Sequence, residues 1–341
     1  MNDDVLRFAI PSDGELHAST MDFLHGCGLS VERPNRRQYT ATLTSTPNVQ
    51  ILFQRASDIP HNIAQGSADL GIVGHDRFSE ENGSSETAVI AMADLGYGQA
   101  QLVTAVPTSW IDVNDMIDLA DLDAEFRSEN RALRIATKYP KLVSKYLHEK
   151  GLRYFSLVHA SGALEAAPVI GYADVIVDIS STGTTLRENQ LKQLTDGVVF
   201  SSAACLVANS NRIGLNSEHS SILRSTLKFM MDNMEGYLQA KHVYVIAAEL
   251  YQDRATFEES PNSRNLERFG PLSLSDLKSE TQSSGINLTM TVHREQLREV
   301  VSAFRNVGAT TINVIEPKYL FQNSSTSYDI LMSKIGSTNF A

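Results

Sequence analysis

The sequence predicts an α/β protein of two lobes followed by a small α+β domain, and three observations carry that expectation. Short apolar runs alternate with helical patterns over the first 210 residues, the signature of sheets with much parallel pairing. One apolar run, residues 197–209, returns after a second set of such units and is read as rejoining the first. Beyond residue 240 the order becomes strand, helix, strand, strand, helix, strand, which is the split unit of a ferredoxin-like sheet.

Taken in order, residues 6–10 read as a short strand, and Pro11-Ser12-Asp13-Gly14 turns into a helix over 16–27. Residues 49–53 form a second strand, with Arg55 just beyond it and a helix through 64. Residues 68–76 (ADLGIVGHD) are a strand of small residues that ends in a polar loop, and further strands are expected at 88–95 and 101–106. The stretch 112–131 is acidic and weakly patterned, and reads as a surface insertion around one helix. Strands at 133–136 and 155–159 flank a helix over 139–150. Two lobes follow from this order, 1–106 with 196–226 and 107–195, joined by crossing strands. The pattern resembles the periplasmic-binding-protein type of hinge, with ligand in the cleft. A long helix from about 217 to 240 leads into the C-terminal part, 227–341, whose last residues, 323–341, are Ser/Thr/Asn-rich and read as a loosely held tail.

Composition narrows the function. Hydrophobic residues make up 42% and charged residues 20%, as in an ordinary globular protein. No apolar run approaches the roughly 20 residues that span a membrane. The first residues, Met1-Asn2-Asp3-Asp4, are not a signal peptide, and Cys27 and Cys205 form no metal or redox spacing, so a reducing cytoplasmic location is expected. A net charge of −11 argues against nucleic acid as a partner. An anionic substrate then needs local cations or a metal ion.

The most informative stretch is residues 165–191, EAAPVIGYADVIVDISSTGTTLRENQL. A buried-strand pattern ends at Asp178, followed by Ser181, Thr182, Gly183, Thr184 and Thr185 and then a helical segment. A strand that runs through a Gly/Ser/Thr loop into a helix cradles phosphate with backbone N–H groups and hydroxyls. The acid at the strand end matters most. A carboxylate beside phosphate needs its own partner, and a ribose diol is one, so the loop points to a sugar phosphate. Read alone, the loop is equally a helix-capping turn, and Glu165 a first-turn helix carboxylate.

Four stretches together resemble the ATP phosphoribosyltransferase family in its long form with a C-terminal regulatory domain. They are Arg55 with Asp58-Ile59-Pro60, Gly66 through Gly74 (GSADLGIVG), Ile135-Ala136-Thr137-Lys138-Tyr139-Pro140, and the 165–191 segment. Looser matches to the regulatory domain are GPLS at 270–273 and VGATTINVI at 307–315. The resemblance covers nearly the whole chain except the acidic stretch and the tail.

It implies condensation of ATP with phosphoribosyl pyrophosphate at the adenine N1, release of pyrophosphate, and the first step of histidine biosynthesis. It also implies feedback inhibition by histidine, a Mg²⁺ requirement and a dimer that assembles into a hexamer. The resemblance places the 5′-phosphate in the 181–185 loop, and Glu165 and Asp178 on the ribose hydroxyls. Arg55, Asp69, Asp76 and Lys138 are expected around pyrophosphate or nucleotide, and no side chain is assigned to the metal, which substrate oxygens hold. One departure stands out. The family has a basic pair, roughly Lys-Gly-Arg, in the turn after the first strand, where this chain has Asp13-Gly14-Glu15. Three accounts are open: Arg33, Arg36 or Arg37 supplies the charge, the acids bind an additional metal, or catalysis is lost or altered. The last would make the chain a non-catalytic regulatory paralogue that binds nucleotide or histidine. A third class, a two-lobed small-molecule binding protein, has no need of Asp178 ahead of a phosphate loop.

Overall fold

The computed structural model describes residues 5–35, 37–82, 87–159, 164–213, 220–277 and 285–338. Among these residues three sheets form, of seven, five and four strands. Two compact units result, residues 1–228 with 327–341, and Phe229–Thr326.

The first lobe runs β1 (Leu6–Pro11), α1 (Gly14–Gly26), β2 (Val31–Glu32), β3 (Thr40–Leu43), β4 (Thr46–Gln54), α2 (Ile59–Ala64), β5 (Leu70–Gly74), α3 (His75–Asn82) and β6 (Ala88–Met92). β1 lies between β4 and β5, parallel to both, so Pro11, Gln54 and Gly74 end on one edge of the sheet. The short strands β2 and β3 at one side of the sheet are not legible from the sequence, because short strands take their conformation from the neighbours they pair with. α2 packs on β5 so closely that a Cβ at Gly71 would lie 2.5 Å from Ile59 Cγ2 and 3.3 Å from Ile63 Cδ1. Gly71→Ala is therefore expected to cost about 1–3 kcal/mol by overpacking, measured as a shift in denaturation midpoint.

The second lobe holds β7 (Ala100–Pro107), α4 (Met116–Ser128), β8 (Leu133–Thr137), α5 (Pro140–Glu149), β9 (Phe155–His159), a helical turn at Leu164–Ala166 running into α6 (Ala167–Ile170), β10 (Val175–Ser180), α7 (Thr184–Glu188) and β11 (Leu191–Ser202). Its sheet order is β11-β7-β10-β8-β9, with β9, β8 and β10 parallel and β7 antiparallel to both of its neighbours, β10 and β11. Two expectations change here. β7, expected in the first lobe, pairs with β10 and β11 instead, so the outgoing crossing falls at residues 93–99. Residues 197–202, expected to have returned already, still belong to β11, and only β12 (Ala204–Asn209) joins the first sheet, between β5 and β6. Chain order does not reveal which sheet edge a strand finds.

The acidic stretch is no surface insertion. Asp115 caps α4 by accepting from Ile117 N and Asp118 N, and Asp118 reaches back to Asp115 N, a full capping box. Met116 and Leu119 are buried in the lobe core with Leu133, Val143 and Val177. Asp123 accepts from Arg153 N at 2.9 Å and Tyr154 N at 3.1 Å, so even an acid on this helix is structural. The one helix expected here is present, and weak periodicity hid only its burial, because the buried face is narrow.

After β12 come α8 (Ser210–Ile213) and α9 (Ser220–Ala240). The expected helix start at 217–219 lies outside the described residues. The second unit then contains β13 (Val243–Leu250), α10 (Arg254–Glu259), α11 (Pro261–Glu267), β14 (Leu272–Asp276), β15 (Ile286–His293), α12 (Leu297–Asn306) and β16 (Thr311–Ile315). Its antiparallel sheet has the order β14-β15-β13-β16, the expected ferredoxin-like arrangement. Phe257, Leu266, Val300 and Phe304 from its helices close the core against Ile246, Leu288 and Met290. The tail differs from expectation: Thr326–Thr338 is a helix, α13, that buries Leu331 and Ile335. It belongs to the first unit, where Lys334 Nζ donates to Ile90 O at 3.2 Å. Residues 339–341 lie outside the described residues.

Candidate active site

The parallel strands of both lobes end in the loops that hold nearly all the residues singled out from the sequence. In open α/β sheets ligands bind beyond such carboxyl ends. β10 carries Asp178 near its end and β8 ends directly before Lys138. Lys138 Nζ stands 3.7 Å from Asp178 Oδ2, and Ile179 N donates to Asp178 Oδ1 at 2.8 Å. Burial pushes the Asp178 carboxyl up, and the nearby Glu165 carboxylate adds to that. The Ile179 N–H, Lys138 and Arg77 oppose it, and the net direction is upward. Two carboxylates and a lysine ammonium thus converge where β10 meets its loop.

Beyond Asp178 the chain turns. Gly183 takes φ +69°, a left-handed conformation that only glycine adopts at little cost, and its N–H donates to Ser180 Oγ at 3.0 Å. Ser181, Thr182, Thr184 and Thr185 are exposed. Thr182 Oγ1 donates to Thr184 Oγ1 at 3.1 Å, and Arg187 Nη2 donates to the same oxygen at 3.2 Å. A cavity of about 530 Å³ opens over this loop, lined also by Thr108, Arg187 and Lys192. A neighbouring cavity of about 600 Å³ shares Gln101, Ser180 and Ser181 and extends to His75, Asp94 and Ser202 at the crossing strands. Burial lowers the His75 imidazole, although Asp76 pulls the other way. A larger hollow of about 960 Å³, lined by Trp110, Phe126 and Val169, lies at the opposite ends of the second lobe's strands. It is not the site, because its Asp174 is already paired with Arg131 and Arg134 and it contains none of the hydroxyl loop.

The other expected residues fall differently. Arg55 is exposed just past β4, on the edge where β1 also ends. Asp69 was expected at the cleft, but it precedes β5 and so sits at the far end of that strand. It is 0% exposed, accepts from Arg7 Nη2 at 2.8 Å and Arg212 Nε at 2.9 Å, and serves the fold. Asp76 is at the correct end, yet it is buried and each of its oxygens is engaged, by Tyr139 Oη and Ser202 Oγ, both at 2.6 Å, so it serves the fold. Asp13 and Glu15 are exposed where β1 runs into α1, and Asp13 makes no capping bond. Arg33 lies 4.0 Å over the Phe53 ring and donates Nε to Gln38 O at 2.8 Å. Phe53 pairs with Ile10, one residue short of Pro11, so this cation stands on the same edge as the two acids. Arg37 is exposed, and Arg36 lies outside the described residues.

Arg77 and Arg187 were not anticipated. Arg187 was legible in principle, since it follows Thr184 by one helical turn. Arg77 was not, because it acts across the lobes. Arg187→Ala is expected to raise the KM for the phosphorylated sugar about tenfold with kcat changed less than threefold, as for a group that holds ground and transition states alike. Steady-state kinetics decides it.

Fold and site together fit the class of transferases that work on a phosphorylated pentose. The profile of the ATP phosphoribosyltransferase family matches residues 55–232. The chain is 45% identical over 208 residues to an ATP phosphoribosyltransferase of Mesorhizobium japonicum, covering 60% of this chain and 90% of that one. It is 32% identical over 347 residues to ATP phosphoribosyltransferase 1, chloroplastic, of Arabidopsis thaliana, covering 98% of this chain and 82% of that one. Among solved structures, a chain of the ATP phosphoribosyl transferase (HisG:HisZ) complex from Thermotoga maritima superposes with a TM-score of 0.50 at 25% identity, covering 68% of this chain and 98% of that one. The chain belongs to the ATP phosphoribosyltransferase family, pentosyltransferases of the first step of histidine biosynthesis.

Proposed function

We propose that this enzyme condenses ATP with phosphoribosyl pyrophosphate to N1-(5-phosphoribosyl)-ATP and pyrophosphate, and that histidine inhibits it through the ferredoxin-like domain. The observation that carries the reading is the convergence of Asp178, Glu165 and Lys138 beneath an exposed Ser/Thr/Gly loop. The 5′-phosphate belongs in the loop, met by hydroxyls and by Arg187. Asp178 and Glu165 then take the ribose hydroxyls. As the C1–oxygen bond to pyrophosphate breaks, positive charge spreads over C1 and the ring oxygen, and these fixed carboxylates stabilise it. Adenine N1 is its own nucleophile, so the protein's task is to place two substrates in line. Arg55 and Lys138 are suited to the pyrophosphate.

Mg²⁺ fits this site as a guest of the substrate. Among the described residues no three His, Cys, Asp or Glu side chains gather as a metal cage. Mg²⁺ keeps much of its octahedral shell as water and phosphate oxygen, and when bound it would neutralise pyrophosphate charge. We also propose a homo-oligomer, dimer or hexamer, and a cytoplasmic setting. Among the described residues no helix is long and apolar enough to cross a membrane.

The test mixes the protein with ATP, phosphoribosyl pyrophosphate, Mg²⁺ and pyrophosphatase and follows the absorbance of the N1-substituted adenine. A rise that histidine suppresses supports both halves of the proposal. A rise indifferent to histidine removes the inhibition. One observation favours a second reading, a regulatory paralogue without turnover: Asp13 and Glu15 set two exposed carboxylates on an edge that must receive anions. Substrate binding without any rise would select it.

A further inference from the structure

The two lobes meet beside the pocket at a joint built on buried carboxylates. In the first turn of α3, Asp76 accepts from Tyr139 Oη and from Ser202 Oγ, each at 2.6 Å. One turn later Glu80, also buried, accepts from Lys141 N at 2.9 Å and Leu142 N at 3.0 Å. A carboxylate of the first lobe thus caps the N-terminus of α5 in the second, where the helix dipole favours it. Arg77, between them, lies 4.6 Å over the Tyr139 ring. Residues 76 and 80 are four apart, so one helical face delivers both acids. Gly74 makes room for this, since a Cβ there would collide with the Asp76 carboxylate.

A joint of this kind resists opening. Parting the lobes would exchange the Tyr139 bond to Asp76 and both α5 bonds to Glu80 for bonds to water, and bonds to a charged acceptor are the stronger ones to give up. Tyr139 also directly follows Lys138, whose ammonium faces Asp178. We infer that Tyr139 and Glu80 are positioning residues: by clasping α3 to the 139–142 segment they hold the lobes in one arrangement, with Lys138 and Arg77 set against Asp178 before substrate arrives. This differs from the freely hinged cleft that a two-lobed fold implies. The groups around Asp178 are Lys138 after β8, Arg77 on α3 and Glu165 on the turn before α6, one from the first lobe and two from the second. The catalytic half of the inference rests on the transferase reading; the mechanical half does not.

Two measurements test it on the full chain. Tyr139→Phe keeps the ring under Arg77 and removes only the O–H. It is expected to lower kcat about tenfold with the KM for phosphoribosyl pyrophosphate changed less than threefold. Combined with Lys138→Met, it is expected to add no further loss, because it acts through Lys138. Wild-type kcat in Tyr139→Phe, or losses that multiply in the double variant, would overturn the positioning role. For the clasp itself, spin labels at Asn35→Cys and Lys145→Cys, both exposed and on different lobes, report the lobe distance without substrate. Labelling is selective because both native cysteines are buried. A single narrow distance that broadens or lengthens in Glu80→Gln is expected. A distribution already broad in the parent, or one unmoved by Glu80→Gln, would overturn the clasp. This readout needs no turnover, so a parent that fails to transfer phosphoribose sinks the assigned reaction while the distance still decides the joint.

Discussion

Replacing Asp178 with asparagine is expected to lower kcat/KM for phosphoribosyl pyrophosphate about 1,000-fold, equivalent to about 4 kcal/mol of lost transition-state stabilisation. The amide keeps the side-chain volume and can still bond a ribose hydroxyl, but it removes the fixed negative charge facing a ring that becomes cationic. Lys138 is left 3.7 Å from a neutral group, so its charge then adds to the repulsion of the developing cation instead of being balanced. The pH profile supplies a second check. Burial first, and then the Glu165 charge, raise the Asp178 carboxyl in the folded state despite Ile179 N–H, Lys138 and Arg77. The ionised form does the work, so the acidic limb of kcat/KM is expected above the ordinary carboxylate value of about 3.9. Asp178→Asn removes that limb. Stability runs the other way. A carboxyl whose folded value is raised favours the fold when protonated, and its contribution falls as pH rises from the ordinary value through the raised one. At neutral pH Asp178→Asn is therefore expected to leave the denaturation midpoint unchanged or slightly higher. An active variant, or one inactive only because it unfolds, would remove Asp178 from the chemistry.

Asp69→Ala is expected to do the reverse, costing about 3 kcal/mol of stability while leaving kcat and both KM values of the folded enzyme unchanged. Its carboxylate is 0% exposed and receives Arg7 N and Nη2 at 2.8 Å, Arg7 Nε at 3.3 Å and Arg212 Nε at 2.9 Å. Truncation leaves two guanidiniums facing a cavity. Because these arginines are 23% and 35% exposed, water screens part of the loss, which places the figure at the low end of the range for broken buried pairs. For a unit of this size the thermal midpoint would fall by roughly 6–12 °C. A raised KM for ATP at unchanged stability would restore the role in nucleotide binding that the sequence suggested.

The contrast between these two aspartates marks what one chain reading can and cannot reach. Asp178 was singled out because the signals around it are local: a strand pattern before it, a Ser/Thr/Gly turn after it, and a glycine where the backbone must turn left-handed. Asp69 and Asp76 are seven residues apart, on either side of one short strand, yet one bonds Arg7 and Arg212 and the other Tyr139 and Ser202. Nothing local separates an acid that meets ligand from one that meets an arginine 62 or 143 residues away. α4 shows the same limit for structure, as its capping box was readable in Asp115 and Asp118 but its burial was not.

By itself, then, the sequence determined the α/β class, the ferredoxin-like order of the C-terminal unit and the Ser/Thr/Gly turn that follows Asp178, since each follows from hydrophobic period or turn chemistry over fewer than about 30 residues. Only the tertiary structure decided which sheet β7 joins, where the chain crosses between lobes, that the terminal helix packs in the first unit, and that Asp76 and Glu80 clasp the lobes. Those outcomes depend on pairing and desolvation between segments far apart in the chain, and the free energy of a buried charge is set by the partner that reaches it, whatever the residues beside it.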